Sequence, residues 1–336
     1  MRISTVVRIA LCTTSIAATL LAGCGTLQPA TGAPDRMLQA RTTTTHADRV
    51  ESWMKPNASK VLLYYDDDIA DDTYVYDYPS GKLVGKLMGF DDPQGMCVDQ
   101  EGDVYITNPP YGLLLEYAHG GIKPINIYER PVIGLNGCSV SATGDIAATG
   151  RNEVCIWKGG KNTPTCVDGN ESVGCVGLSP FGYDHDGNLI GMGSSGRKVT
   201  ACIIPAGENT MERLHTRIAF NFDPTGTAWD GKYITLSGVR GNGDVVRPAE
   251  LSGTTLIAVG PLIKLQDQAS MPGSPFFFGK QNVTAATTTR ATSATIANPR
   301  YDKGNADVWN YPKGGEQILR IPAVNDSGGD AISIAK

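Results

Sequence analysis

One pattern recurs along this chain and constrains its fold more than any other feature. The pattern is an apolar or aromatic strand, a tight glycine turn and a second strand. Its copies are Tyr74–Leu87, Leu114–Ile127, Val154–Val167, Ala201–Leu214, Val308–Ile321 and, more loosely, Val245–Leu265. The turn glycines fall about 40 to 60 residues apart, which is the length of one propeller blade.

A second hairpin pattern lies between these copies. It has the form strand, Asp/Ser-x-x-Gly turn, strand, at Gly95–Asn108, Cys138–Thr149, Tyr183–Met192 and, in a shorter version, Ala228–Leu236. The two patterns together give four strands per repeat, so the sequence predicts an all-β, six-bladed β-propeller with four antiparallel strands per blade. A β-sandwich needs no long period repeated six times, and a parallel β-helix has much shorter coils.

The two ends of the repeat region complement each other. The first repeat opens at Lys60–Asp66, which matches the second strand of the other repeats, and nothing before it resembles an inner strand. Asp330–Lys336 does resemble one. We therefore predict that the C-terminal strand completes the first blade and closes the ring, since closure removes unpaired sheet edges.

The amino-terminal residues are typical of an export signal. Arg2 and Arg8 precede or border an uncharged run, Ile9–Gly23, that is too short and too rich in Thr and Ser for a spanning helix. Leu21–Cys24 then resembles the bacterial lipobox. The resemblance implies a signal peptide over residues 1–23 and lipid attachment at Cys24, and Gly25 after it implies sorting to the outer membrane or cell surface, facing the periplasm or the exterior.

Residues 24–57 are predicted to form a flexible tether. Thr, Ala, Pro and polar residues dominate, and no apolar period persists. Residues 58–336 would then be the propeller domain, attached to the membrane by the lipid anchor.

Composition agrees with a β fold and excludes one class of partner. The chain contains 40 Gly and 20 Pro, and runs of helix-forming residues at helical spacing are missing. Its formal net charge is −5, without a cluster of Lys and Arg, so nucleic acid is not an expected partner. The sequence does not identify a protein or small-molecule ligand.

Six cysteines remain once Cys12 leaves with the signal and Cys24 takes the lipid. In an oxidising compartment this even number predicts disulfides, although spacing alone allows fifteen pairings. A two-residue turn at Gly160-Lys161 would put Cys155 opposite Cys166. Cys97 and Cys138 on neighbouring inner strands are a plausible second pair, and Cys175 with Cys202 follows by elimination. No CxxC or HxxxH pair is present, which argues against zinc.

Candidate catalytic and metal-binding residues are few. The four histidines, His46, His119, His185 and His215, are far apart in sequence, so no catalytic residue is assigned. The densest charge cluster is Asp66-Asp67-Asp68, followed by Asp71 and Asp72. Such a run is usually a solvated loop, but it could also hold Ca²⁺, the one cofactor we consider. Asp184–Asn188 is interpreted as a hairpin turn. The aromatic residues of the outer hairpins are expected to pack between blades.

One repeat resembles a known family. Pro93–Asp99, Gly102–Asn108 and Leu115–Tyr117 are similar to the NHL-type propeller repeat and to the six-bladed folds of SMP-30/gluconolactonase and TolB-like proteins. The lactonases hold a divalent cation, a role that the resemblance would give to Asp99 and Asn108. The alternative is that Asp99 caps its own turn and Asn108 ends a strand. The turns at Tyr78–Gly81 and Tyr311–Gly315 resemble those of uncharacterised bacterial exported propellers.

Two functional classes follow. The first is a lipid-anchored, extracytoplasmic, non-catalytic binding or scaffold module. The alternative is a metal-dependent hydrolase or lyase of the SMP-30/gluconolactonase type, which rests on analogy of fold.

Overall fold

The computed structural model describes residues 51–129, 134–161, 163–195, 198–241, 243–266, 271–272, 276–278, 283–289, 305–322 and 329–336. These residues belong to one compact unit, Arg49–Lys336. The predicted signal peptide, Cys24, His46 and most of the predicted tether lie outside the described residues. The helical segments within them are short 3-10 turns at Pro109–Tyr111, Lys158–Gly160 and Glu171–Val173. Among the described residues, no helix has the length and apolar character needed to cross a membrane.

Almost all regular structure is β. In chain order the strands are β1 (Trp53–Met54), β2 (Val61–Asp67), β3 (Asp72–Asp77), β4 (Lys82–Met88), β5 (Met96–Val98), β6 (Val104–Asn108), β7 (Leu113–Tyr117), β8 (Asn126–Glu129), β9 (Leu135–Val140), β10 (Ile146–Gly150), β11 (Glu153–Trp157), β12 (Thr165–Asp168), β13 (Gly182–Tyr183), β14 (Leu189–Ser195), β15 (Lys198–Ile204), β16 (Glu212–Arg213), β17 (His215–Arg217), β18 (Asp223–Trp229), β19 (Ile234–Arg240), β20 (Gly243–Ser252), β21 (Thr255–Ala258), β22 (Ile263–Gln266), β23 (Met271–Pro272), β24 (Phe276–Phe278), β25 (Val283–Thr289), β26 (Asn305–Asn310), β27 (Gly315–Pro322) and β28 (Asp330–Ile334).

These strands form consecutive antiparallel sheets. The first has the order β1-β4-β3-β2-β28, and the second (β5 to β8), third (β9 to β12) and fourth (β13 to β16) each consist of four successive strands. The remaining strands form one 11-stranded sheet. It has two antiparallel parts, β18 to β22 and β23 to β27, which a parallel pairing of β22 with β27 connects.

The predicted hairpins are confirmed. Each of the ten segments that carry the two repeat patterns folds as an antiparallel strand pair. The sequence did not identify β1, which lies inside the segment assigned to the tether and pairs with the outer edge of β4. Trp53 and Met54 are large apolar residues in a polar stretch, and Met54 packs against the core of the first sheet.

The C-terminal strand pairs with the first repeat, as predicted. β28 runs antiparallel to β2, with Val61 opposite Ile334 and Tyr65 opposite Asp330. It also contacts the second sheet, because the Ser333 hydroxyl donates to the carbonyl of Gly102 and lies 2.6 Å from His119 Nδ1. β28 therefore links the first sheet to the second.

The core consists of clusters that lie between neighbouring sheets rather than of one central mass. Leu62 and Val75 of the first sheet pack with Ile106 of the second, for example, and Ile190 of the fourth with Leu236. Another cluster joins strands from the two ends of the chain, and it comprises Leu63, Tyr65, Tyr76, Val308, Ile321 and Ile332. Trp157 and Trp309 are wholly buried in such clusters, which confirms that outer-hairpin aromatics pack between sheets.

Adjacent inner strands approach each other very closely. A Cβ atom added to Gly95 on the approach to β5 would lie 2.6 Å from the Gly137 Cα of β9, and one added to Gly137 would lie 2.6 Å from Pro180. Only glycine allows backbones to meet at this distance. The backbone just before β5 is thus in direct contact with β9, and the Pro180 ring just before β13 packs on the backbone of β9.

All three predicted disulfides are present. Cys97–Cys138 joins β5 to β9 and so connects the second and third sheets, with 5.5 Å between the Cα atoms. Cys155–Cys166 joins directly opposed residues of β11 and β12. Cys175–Cys202 ties the segment before β13 to β15, with 6.0 Å between the Cα atoms. Stable disulfides are compatible with an exported protein.

Candidate functional site

A cavity of about 360 Å³ lies where the third and fourth sheets meet β18. The volume is within the range of small-molecule sites. Its lining residues come from the start of β9, the segment before β13, the β14–β15 hairpin and the start of β18; they are Asn136, Gly177, Leu178, Ser179, Pro180, Ser194, Val199, Asp223, Pro224 and Thr225.

Backbone contacts fix the wall before β13. Pro180 packs directly on Gly137 of β9, which has no side chain to hold it away. Leu178 donates its N–H to the carbonyl of Arg151 at 2.8 Å, and Ser179 donates its N–H to Met192 at 2.9 Å. The segment is therefore held by both the third and the fourth sheets.

Two hydroxyl groups in the lining already donate hydrogen bonds within the protein. Ser179 Oγ donates to the Met192 carbonyl at 3.1 Å. Thr225 Oγ1 lies 3.1 Å from Ser237 Oγ and must donate to it, because Ser237 gives its own proton to the Gly226 carbonyl at 3.0 Å. Each hydroxyl offers a ligand only lone pairs.

The backbone of the lining offers few donors as well. The N–H groups of Gly177 and Ser194 bond to Asn152 Oδ1 and the Val176 carbonyl, at 2.9 and 2.7 Å. Those of Leu178 and Ser179 are also occupied, and Pro180 and Pro224 have none. The cavity therefore presents more hydrogen-bond acceptors than donors, and the donors that remain are the Asn136 amide N–H groups and the Ser194 hydroxyl.

Asn136, Ser194 and Asp223 are the lining residues whose side chains make no hydrogen bond among the described residues. Asn136 lines the cavity, and its Oδ1 is buried without a hydrogen-bond partner among the described residues. Asp223 is exposed at the start of β18. Within the described part of the chain, Asp223 takes part in no ion pair, and the lining contains no Lys, Arg or His.

The sequence did not predict this site. Its residues come from four separated segments, and none belongs to a known motif. One signal was available: Ser179-Pro180 and Asp223-Pro224 each place a short polar residue before proline at the entry to an inner hairpin.

The expectation of a solvated acidic loop at Asp66–Asp68 was wrong for its first two residues. Asp66 and Asp67 are the last residues of β2 and are wholly buried. Asp66 Oδ1 accepts the Gly329 N–H at 2.7 Å, and Asp67 Oδ1 accepts the Ala70 N–H at 2.8 Å. Successive strand residues face opposite sides of a sheet, so these carboxylates do not converge on one point. Ca²⁺ binding by Asp66, Asp67 and Asp68 stays a prediction that this arrangement does not favour.

Asp99 and Asn108 are not brought together either. Asp99 follows β5 and Asn108 ends β6, so they lie at opposite ends of one hairpin. Asp99 Oδ1 accepts the Asp103 N–H at 2.9 Å, and Asn108 Oδ1 accepts the Asp91 N–H at 3.0 Å. The capping interpretation is thus confirmed, and the pair does not fit a shared metal site.

Asp99 instead belongs to a group of three carboxylates on the second sheet. Oxygen atoms of Asp99, Asp103 and Glu116 lie within 4.8 Å of one another. Burial raises the pKa of Asp103, and the charges of Asp99 and Glu116 raise it further. The group is already hydrogen-bonded, because the Tyr105 and Tyr128 hydroxyls lie 3.1 and 2.9 Å from the two oxygens of Glu116.

We expect Glu116→Gln to lower the pKa of Tyr128. Burial, then the hydrogen bond and charge of Glu116, raise that pKa to about 12. Removal of the charge favours the phenolate, and loss of a charged hydrogen bond should cost about 1.5–3 kcal/mol of stability. An NMR titration of the tyrosine Cζ resonances measures the pKa. In the control Glu101→Gln, which alters a fully exposed carboxylate, the Tyr128 pKa should stay unchanged, and an unchanged pKa in Glu116→Gln would contradict the assignment.

The three described histidines lie apart, as the sequence indicated. The His119 ring connects the first and second sheets by hydrogen bonds, and its Nε2 lies 3.0 Å from the Ser59 carbonyl. His185 stacks on Trp229 with 6.4 Å between ring centroids, and His215 is exposed on β17. Asp184 Oδ1 accepts the N–H groups of Asp186 and Asn188, which confirms the hairpin turn.

Comparison with known structures supports the fold class. The chain is similar to a chain of the nidogen/laminin complex (13% identity, 82% of this chain and 99% of that chain, TM-score 0.60). It is also similar to virginiamycin B lyase from Staphylococcus aureus (12%, 78% and 87%, 0.50) and to a luciferin-regenerating enzyme (13%, 80% and 94%, 0.52). No protein-family model and no curated protein matches the sequence. At these identities the likeness shows a β-propeller fold and nothing about activity.

Proposed function

We propose that this protein is a lipid-anchored, extracytoplasmic six-bladed propeller that binds a small molecule in the cavity at Asn136, Ser179 and Asp223. The observation that supports this proposal is the cavity itself, whose lining combines apolar residues with polar groups that have no hydrogen-bond partner among the described residues. A binding site needs a cavity with a few polar groups that orient the ligand, whereas a catalytic site also needs a positioned nucleophile, acid or base.

Several contacts support a closed ring of six blades. The cluster of Leu63, Val308 and Ile332 packs the last repeat against the first sheet. β28 contacts β5 on one side and β24 and β25 on the other. A ring whose last strand belongs to the first blade has no free inner edge.

Export and anchoring are supported by separate observations. The lipobox-like Leu21–Cys24 segment follows an uncharged run, and three disulfides favour an oxidising compartment. Mass spectrometry of the membrane fraction should detect a diacylglyceryl group on Cys24 and no residues before it.

A metal-dependent hydrolase or lyase is the second candidate. The observation in its favour is the Asp99, Asp103 and Glu116 group, because hard cations bind carboxylate oxygens. We rank it second because Tyr105, Tyr128 and the Asp103 N–H already occupy these carboxylates. Metal analysis of the purified protein, with a test of EDTA-sensitive hydrolysis, separates the candidates.

The binding proposal predicts that Val199→Trp abolishes ligand binding. Val199 lines the cavity, and an indole in its place would fill much of the space. Saturation-transfer NMR should be run on the full-length protein with a fragment library that contains equal numbers of cations, neutral molecules and anions. We expect fragments that bind the wild type and fail to bind Val199→Trp.

The matched control is Thr165→Trp, which adds the same indole at an exposed position on β12, away from the cavity lining. The same fragments should bind this variant as they bind the wild type. A library without any fragment sensitive to Val199→Trp would contradict the proposed site.

A further inference from the structure

The cavity lining offers a ligand more hydrogen-bond acceptors than donors. Ser179 Oγ already donates to the Met192 carbonyl, and Thr225 Oγ1 donates to Ser237 Oγ. The backbone N–H groups of Gly177, Leu178 and Ser179 also have hydrogen-bond partners. Two further lining residues are prolines, which have no backbone N–H. The donors left in the lining are the Asn136 amide N–H groups and the Ser194 hydroxyl, so an anionic ligand would find few partners there.

The one formal charge in the lining has the same sign as this imbalance. Asp223 is the single ionisable residue among the ten that line the cavity, and it makes no ion pair within the described chain. It is exposed, so its carboxylate is hydrated and accessible to a ligand that enters from solvent. A cation in this cavity gains a charge-assisted hydrogen bond, whereas an anion is repelled.

Four of the lining residues are apolar. Leu178, Pro180, Val199 and Pro224 contribute hydrocarbon walls, and Leu178 is almost wholly buried. A fully hydrated inorganic cation gains nothing from such walls, but an organic body does, because it removes apolar surface from water.

We propose that the cavity binds a small organic ammonium ion, with its nitrogen at Asp223 and its apolar body against Leu178 and Val199. This inference rests on the proposed function and adds the chemical class of the ligand. The lone pairs of the Ser179 and Thr225 hydroxyls supply the remaining acceptors for the N–H donors of the ligand.

Three probes with the same ring test the class: benzylamine, benzyl alcohol and benzoate. They are titrated into the full-length protein, with binding followed by saturation-transfer NMR. We expect benzylamine to bind about tenfold or more tightly than benzyl alcohol, and benzoate not to bind. Higher salt should weaken benzylamine alone, because the charge pair is exposed to solvent.

Asp223→Asn keeps the shape of the residue and removes its charge. We expect this variant to weaken benzylamine about tenfold and to leave benzyl alcohol unchanged. Asp186→Asn, which neutralises an exposed carboxylate outside the lining, is the control and should change neither.

The outcomes separate the inference from the proposed function. Equal binding of benzyl alcohol, tighter binding of benzoate, or an Asp223→Asn variant with undiminished benzylamine affinity would overturn the ammonium assignment. If those ligands still lose binding in Val199→Trp, the cavity remains a binding site for another class. Absence of binding by all three probes overturns the ammonium assignment, and the fragment library then decides the proposed function.

Discussion

Ile332→Ala should lower the free energy of unfolding by about 2–5 kcal/mol, the usual cost of a large cavity in a packed core. Ile332 is 1% exposed and packs with Leu63 and Val308, so it joins the two ends of the chain. Deletion of residues 330–336 should have a greater effect and remove most of the stability of the domain, because β2 would lose its whole inner partner. Urea denaturation followed by circular dichroism measures both changes.

Ile334→Ala is the matched control on the same strand. Ile334 is 38% exposed, so its truncation should cost well under half as much as that of Ile332. Deletion of Lys336 alone, which removes an exposed ion pair with Glu101, should leave the urea midpoint almost unchanged. If the 330–336 deletion unfolds at the wild-type urea midpoint, β28 does not contribute to the fold in the way we describe.

Replacement of Cys97 and Cys138 by alanine should destabilise the protein by about 4 kcal/mol. The bridge closes a loop with a sequence separation of 41 residues, and the chain-entropy estimate rises with loop length. The same estimate gives about 3.5 kcal/mol for Cys175–Cys202, with a separation of 27 residues, and about 3 kcal/mol for Cys155–Cys166, with a separation of 11.

The ranking of the three double-alanine variants is the test. Their urea midpoints, measured under non-reducing conditions, should fall in the order of loop length, and reducing agent should bring the wild type below all three. Cys97–Cys138 also connects two sheets, so its loss should decrease the cooperativity of unfolding. An equal loss in all three variants would contradict the entropic account.

Much of the fold could be predicted because its information is local. A glycine turn between two apolar runs specifies a hairpin by itself, and ten such segments fold as expected. The pairing of β28 with β2 is long-range, yet it was predictable because one repeat had one strand too few. β1, β17, β23, β24 and β25 were missed. The first four have only two or three residues each, and the run of Thr and Ala at β25 carries little apolar alternation.

The candidate site could not be predicted in the same way. Asn136, Ser179 and Asp223 are separated by more than 40 residues at each step. The approach of Pro180 to Gly137 and that of Gly182 to Thr227 bring their segments together. Asp66 and Asp67 were misassigned for a different reason, because a local pattern was present but misleading. A dense carboxylate run suggested a solvated loop, whereas the Gly329 and Ala70 N–H groups hold these side chains inside the protein.

The uneven distribution of the disulfides has a consequence for how a ligand would enter. Cys138 lies two residues after Asn136, and Cys175 two residues before Gly177, so covalent bonds anchor two walls of the cavity. All six cysteines of the folded domain lie between positions 97 and 202, and the wall at Asp223–Thr225 therefore has no such bond. We expect a ligand that enters to displace the wall at Asp223–Thr225, which pairing with β19 and packing alone hold in place, more easily than the two cross-linked walls.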